Sequence, residues 1–152
     1  MKRLLSTIGA IAALSTAAMP AVAQEVKLGV VMANTGTFAF VGTAAINAIR
    51  LGFDEMQAKN YFGNTKVSLL VEDNRSVTQE AVALVTRMAT RDNAVMVIGP
   101  VSTGEAMAAA PVAVDLKLPL FTTATAPDVL KPGPWVFKST ETAELSTSWP
   151  AA

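Results

Sequence analysis

The sequence predicts an α/β fold, a three-layer parallel sheet with helices on both faces. Three observations predict it. Short, near-continuous apolar runs recur along the chain, as strands buried on both faces require. Stretches with apolar residues at helical spacing separate those runs. Turn signals built from Gly, Asn and Pro fall between several of them. The length of 152 residues sets a prior of one domain.

Residues 1–23, MKRLLSTIGAIAALSTAAMPAVA, precede the first strand and read as an export signal. Lys2 and Arg3 form a positive start, Leu4 to Met19 is an apolar, Ala-rich stretch, and Pro20 breaks it. Ala21-Val22-Ala23 supplies a small-x-small site, so cleavage is expected after Ala23, with a periplasmic destination. An N-terminal membrane anchor fits less well, because the stretch is short, carries Ser6, Thr7, Ser15 and Thr16, and ends at a helix breaker. The domain plan is therefore a signal peptide over 1–23, a folded lobe over 24–139 and an irregular tail over 140–152.

Each element then follows in order. Val26–Ala33 (VKLGVVMA) is the first strand, and Asn34–Val41 a polar, Gly-containing loop. Gly42–Lys59 carries Ile46, Ile49, Phe53 and Met56 at helical spacing, with the i,i+4 pair Arg50/Asp54 elsewhere on the wheel. Gly63-Asn64 marks a turn before the second strand, Lys66–Glu72 (KVSLLVE). Ser76-Val77-Thr78-Gln79 fits a capping box. It opens a helix with Ala81, Leu84, Val85 and Met88 on one face, ended by Arg91-Asp92-Asn93. Ala94–Gly99 (AVMVIG) is the third strand. Gly104–Leu116 is an Ala-rich helix, interrupted or kinked at Pro111, whose missing N–H cannot join the ladder. Pro119–Thr123 is the fourth strand, Asp128–Pro134 a turn-rich connection, and Trp135–Ser139 a short fifth strand. With right-handed crossovers, the expected strand order is the flavodoxin-like 2-1-3-4-5, which puts a topological switch point between strands one and three. Ligands in such sheets bind at the carboxyl ends of the strands near that point, so the loops Asn34–Val41, Pro100–Thr103 and Ala124–Pro127 matter most.

Composition narrows the chemistry. Twelve Lys+Arg balance twelve Asp+Glu, whereas a nucleic-acid binder carries a basic excess. There is no His and no Cys, which removes His- and Cys-based nucleophilic triads, His-ligated metals, thiolate catalysis and disulfides. No catalytic residue, metal or cofactor is expected. The remaining polar inventory of hydroxyls, backbone amides and carboxylates suits binding better than catalysis.

Gly36 and Gly42 after the first strand match neither G-x-G-x-x-G nor a phosphate-binding loop ending in Lys-Ser/Thr. Ser102 and Thr103 sit at the end of strand three, just before a helix whose N-terminus offers free N–H groups and a positive dipole end. Taken alone they read first as helix caps. Thr123, Ala124 and Thr125 follow strand four and land beside them if the sheet order holds. Convergence of two hydroxyl loops on one crevice lifts both above that simpler reading. Phe38 and Phe40 either cover an apolar part of a ligand or pack as core under the first loop. Glu72 and Asp73 end strand two and read as a solvated or capping pair rather than a metal site.

The segments VKLGVVMANTGTFAFVGTAAINAIRLGFDEM, VSLLVEDNRS, AVMVIGPVSTGEAMAAAPVA and LPLFTTATAPDVL, in that order, resemble the solute-binding proteins of branched-chain-amino-acid-type ABC transporters, the leucine-binding or type I periplasmic binding family. The resemblance covers about Val26–Lys138. It implies the N-terminal lobe of a two-lobed clamp that captures a small amino acid, aromatic acid or amide and delivers it to a membrane permease. It also implies ligand contacts at Thr103, with Ser102 beside it, and at Thr123, Ala124 and Thr125. Where leucine-binding relatives carry a Tyr in the first loop, this chain has Val41 with Phe40 adjacent. The family's proteins run far longer, and the tail STSWPAA departs from their continuation. The expectation is a truncated, frameshifted or partial chain that binds weakly or not at all. A non-binding or self-associating fragment is the alternative, ahead of an exported enzyme on the same scaffold.

Overall fold

Residues 25–140 are described by a computed structural model of the chain. The expected signal peptide, its cleavage site and all but the first residue of the expected tail lie outside them. Five strands form one parallel sheet: β1 (Val26–Met32), β2 (Val67–Asp73), β3 (Ala94–Ile98), β4 (Leu120–Thr122) and β5 (Val136–Lys138). The order is β2-β1-β3-β4-β5, the arrangement expected from the sequence. Three helices connect them: α1 (Ala39–Ala58), α2 (Thr78–Thr90) and α3 (Thr103–Asp115), with a 3₁₀ turn at Pro127–Leu130.

Two rows of residues cross the sheet in register. Leu70, Gly29, Val97, Leu120 and Val136 are successive partners on one face. Around this row, α2 and α3 complete the main core, with Val85, Met88, Ala106, Ala109, Ala110 and Ala113 all fully buried. The alanines of α3 explain how it lies so close: they bury little volume and keep the helix near the strands. Gly29 serves the same purpose, since a Cβ there would meet Met88 Sδ and Val97 Cγ2. On the opposite face Val71, Val30, Ile98, Phe121 and Phe137 are partners in the same way. Here α1 covers the β1 end through Ile46 and Ile49, while Phe121 and Phe137 are 37% and 47% exposed.

Three expectations need correction. Helix α1 starts at Ala39, not Gly42, so Phe40 and Val41 belong to its first turn rather than to the loop. The chain turns early because Gly36 adopts a positive φ of 83° and its carbonyl accepts the Ala39 N–H. Ser76 does not open a capping box: the N-cap of α2 is Val77, with no side-chain cap. Ser76 Oγ instead accepts the Phe38 N–H at 2.9 Å and donates to the Thr35 carbonyl at 3.1 Å. A long-range pair of hydrogen bonds has displaced the local motif. Finally, α3 runs uninterrupted through Pro111. The carbonyl deprived of its donor belongs to Met107, an exposed residue on the outer side of the helix.

Candidate functional site

The loops after β1, β3 and β4 meet at the carboxyl ends of the strands, beside the switch point between β1 and β3. The first loop is held from the end of β2. Asp73 Oδ1 accepts the N–H groups of Asn34 (2.8 Å), Thr35 (3.2 Å) and Arg75 (2.8 Å), and Oδ2 accepts the Thr35 hydroxyl (2.7 Å). Burial pushes the Asp73 carboxyl up, but the bonds from Thr35, Arg75 and Asn34 outweigh it and hold the carboxyl below its ordinary value. Asp73 is thus a capping carboxylate, as its position suggested. Glu72 pairs instead with Arg87, which also meets Asp92 at 3.0 Å. These bonds raise the Arg87 guanidinium above its usual value, Glu72 contributing most.

The second and third loops are tied to each other by Thr122. Its buried hydroxyl donates to the Pro100 carbonyl at 2.7 Å and accepts the Ala124 N–H at 3.1 Å. This bond brings the two hydroxyl-bearing loops together, so that Thr103 Oγ1 and Thr125 Oγ1 lie 3.5 Å apart. Ser102 is the N-cap of α3, its Oγ accepting the Glu105 N–H at 3.4 Å, so the capping reading holds for it. The Thr123 hydroxyl oxygen is buried without a hydrogen-bond partner among the described residues.

Ser102, Thr103, Thr123 and Thr125 line a single open cavity of about 670 Å³, together with Phe38 and Phe40. That volume lies within the range of small-molecule sites. Phe38 and Phe40 are 37% and 76% exposed, so neither packs as core; both present aromatic surface to the cavity. Ala124 does not line it. It is 1% exposed, and its carbonyl accepts the Thr140 hydroxyl at 2.7 Å. Two residues that the sequence reading passed over take part. Ser76 lines the cavity while bracing Phe38. Glu105 also lines it, 2% exposed, with Oε2 accepting the Asn74 amide at 2.9 Å. The spacing Ser102-x-x-Glu105 is itself a capping-box signal and offered a way to find it.

The arrangement offers hydroxyls, a helix N-terminus, aromatic surface and one carboxylate, groups able to hold a small molecule. Among the described residues no group of three or more carboxylates, His or Cys is placed to hold a metal ion, and no described helix is long and apolar enough to cross a membrane.

A family model described as periplasmic binding protein matches residues 25–149. No curated protein sequence matches the chain significantly. Among solved structures, the fold is similar to the branched-chain amino acid transporter substrate binding protein of Streptococcus pneumoniae in complex with isoleucine, at 28% identity and TM-score 0.74, over 78% of this chain and 34% of that one. It is equally similar to a putative branched-chain amino acid ABC transporter protein from Rhodospirillum rubrum, at 28% identity and TM-score 0.74, over 78% and 35%. A solute binding protein from Rhodopseudomonas palustris in complex with 3,4-dihydroxy benzoic acid shares the fold at 23% identity and TM-score 0.69, over 78% and 32%. The chain spans about a third of the length of each of these structures.

Proposed function

The chain belongs to the periplasmic binding protein family, and from that premise we propose that it captures a small organic solute outside the cytoplasm for delivery to an ABC permease. The observation that carries this reading is the convergence of two hydroxyl loops, Thr103 against Thr125 at 3.5 Å, on a cavity walled by Phe38 and Phe40. In this reading the hydroxyls of Ser102, Thr103, Thr123 and Thr125, with the first N–H groups of α3, grip the polar end of the solute. The aromatic rings shelter its apolar part. Ala124 serves by holding the loop, through its N–H to Thr122 and its carbonyl to Thr140. The structural relative crystallised with isoleucine makes an amino acid or a molecule of similar size the first solute class to test.

Export is part of the proposal: residues 1–23 act as the signal, with cleavage after Ala23. A second reading draws on the exposed Phe121 and Phe137, which favour self-association of two copies through that part of the sheet.

The test is a thermal melt of Gln24–Ala152 with branched-chain amino acids, aromatic acids, amides and urea. A solute that binds the native state raises the midpoint, and replacing Thr103 and Thr125 by Ala abolishes the rise. A midpoint that no solute moves overturns capture by this chain. Size-exclusion chromatography separates the second reading, which requires a dimer that Phe137→Ser dissolves.

A further inference from the structure

Glu105 combines three properties not found together elsewhere among the described residues. It is 2% exposed, it lines the hydroxyl cavity, and its Oε1 has no hydrogen-bond partner among the described residues. Its other oxygen, Oε2, accepts from Asn74 at 2.9 Å. Asn74 is fully buried and otherwise committed, its Oδ1 to the Ser76 N–H and its own N–H to the Met32 carbonyl. A desolvated carboxylate with an unused oxygen is costly until a donor satisfies it. The second unpartnered atom nearby, Thr123 Oγ1, belongs to the same cavity wall.

The charges decide what the cavity prefers. The N-terminus of α3 offers the equivalent of about half a positive charge, which alone favours a carboxylate. Glu105 places a full negative charge in the first turn of that same helix. Among the described residues no Lys or Arg lines the cavity, and an ammonium N–H of Lys138 donates to the Thr125 carbonyl at 2.7 Å. Because Oε1 is shielded from solvent, water screens its field poorly, and it acts on a solute without direct contact.

We propose that Glu105 sets the specificity of this site, turning it away from plain carboxylates and towards solutes that carry an N–H donor, either an ammonium group or a neutral amide. The proposal rests on the solute-capture reading above and names the class of solute.

The experiment compares two molecules of one shape, isovaleramide and isovalerate, with isoleucine as a third probe, by calorimetric titration of Gln24–Ala152. Wild type is expected to bind the amide at least about tenfold tighter than the acid, the size of effect expected when a poorly screened negative charge faces the charge of the acid and not the neutral amide. Glu105→Gln keeps the shape and the acceptor for Asn74 while removing the charge, and it is expected to shrink that preference, chiefly by tightening isovalerate. Equal affinity for the two probes in wild type, or a preference unchanged in Glu105→Gln, overturns the proposal while leaving solute capture standing. A purely structural role for Glu105 would weaken both probes together and leave their ratio unmoved. Should Glu105→Gln fail to fold, the wild-type ratio alone decides. If wild type binds none of the three probes, the role of Glu105 falls, and solute capture is decided by the melting panel alone.

Discussion

The row Leu70, Gly29, Val97, Leu120, Val136 and the row Val71, Val30, Ile98, Phe121, Phe137 cross the same five strands in the same register. The first is closed along its length by α2 and α3. The second is closed by α1 over Val30 and ends in two half-exposed phenylalanines. Sequence pattern alone does not separate them, since both rows are apolar throughout. The difference comes from what packs above. Two helices share the first face and one serves the second, so the free energy of burial is concentrated under α2 and α3. The site draws on both faces: its hydroxyl loops lead into and out of the closed side, while its aromatic wall rides on the first turn of α1.

The sharpest way to break this comparison is to cut equally into both rows. Leu120→Ala, at a fully buried site, is expected to cost about 2–5 kcal/mol. Phe137→Ala, although it removes more atoms, is expected to cost only about 1 kcal/mol, because roughly half of the ring already meets water. Urea unfolding of both variants checks this, and equal losses would mean that the second face is covered after all.

The next test concerns how α1 is seated. A Cβ at Gly42 would run into the backbone carbonyl of Ala33, which cannot swing aside, whereas a Cβ at Gly52 meets nothing within 4 Å. Ala is normally better than Gly inside a helix by about 1 kcal/mol. Gly52→Ala is therefore expected to stabilise by that much. Gly42→Ala is expected to reverse the sign and cost about 1–3 kcal/mol. Thermal melts of the pair check it, and a Gly42→Ala chain as stable as wild type would show that α1 is loosely docked.

The smallest expected effect is on pH. The native Asp73 carboxyl lies below its ordinary value, so its contribution is complete above the usual Asp pKa of about 4. It is lost as pH falls through the lowered native value. Hydrogen exchange at Thr35 and Phe38 is expected to accelerate in that acid range while the β3 and β4 amides stay protected. Asp73→Asn is expected to bring the faster exchange to neutral pH.

Much of this was legible in the sequence. The apolar runs located five strands, the helical spacing of Ala81, Leu84, Val85 and Met88 named the buried face of α2, and the strand order followed from crossover handedness. Ser102, Thr103, Thr123 and Thr125 were placed on one crevice by that order. The misreadings share a cause. Ser76 and Gln79 satisfied a local capping rule, yet Ser76 is engaged with residues 38 and 41 positions away in sequence. Phe40 reads as loop from the sequence because nothing local announces a helix starting at Ala39. Glu105 carries no clear signal in the sequence because its setting depends on Asn74, 31 positions away. Ala124 shares the loop of Thr123 and Thr125 but is buried beneath the cavity wall, with its N–H bonded to Thr122 and its carbonyl to Thr140.

The clamp of Asp73 and Ser76 on the segment leading into α1 also bears on the kinetics of capture. A mobile aromatic lid makes each encounter wait for a rearrangement on the nanosecond-to-microsecond scale or slower. Here Phe40 is carried on a helix turn, and the loop before it is held by the hydrogen bonds it donates to Asp73 and Ser76. The shelf stands ready before the solute arrives. Under the proposed capture, association with this shelf is expected to need no rearrangement, and the lifetime of the complex, rather than the speed of its formation, is expected to tell solutes apart.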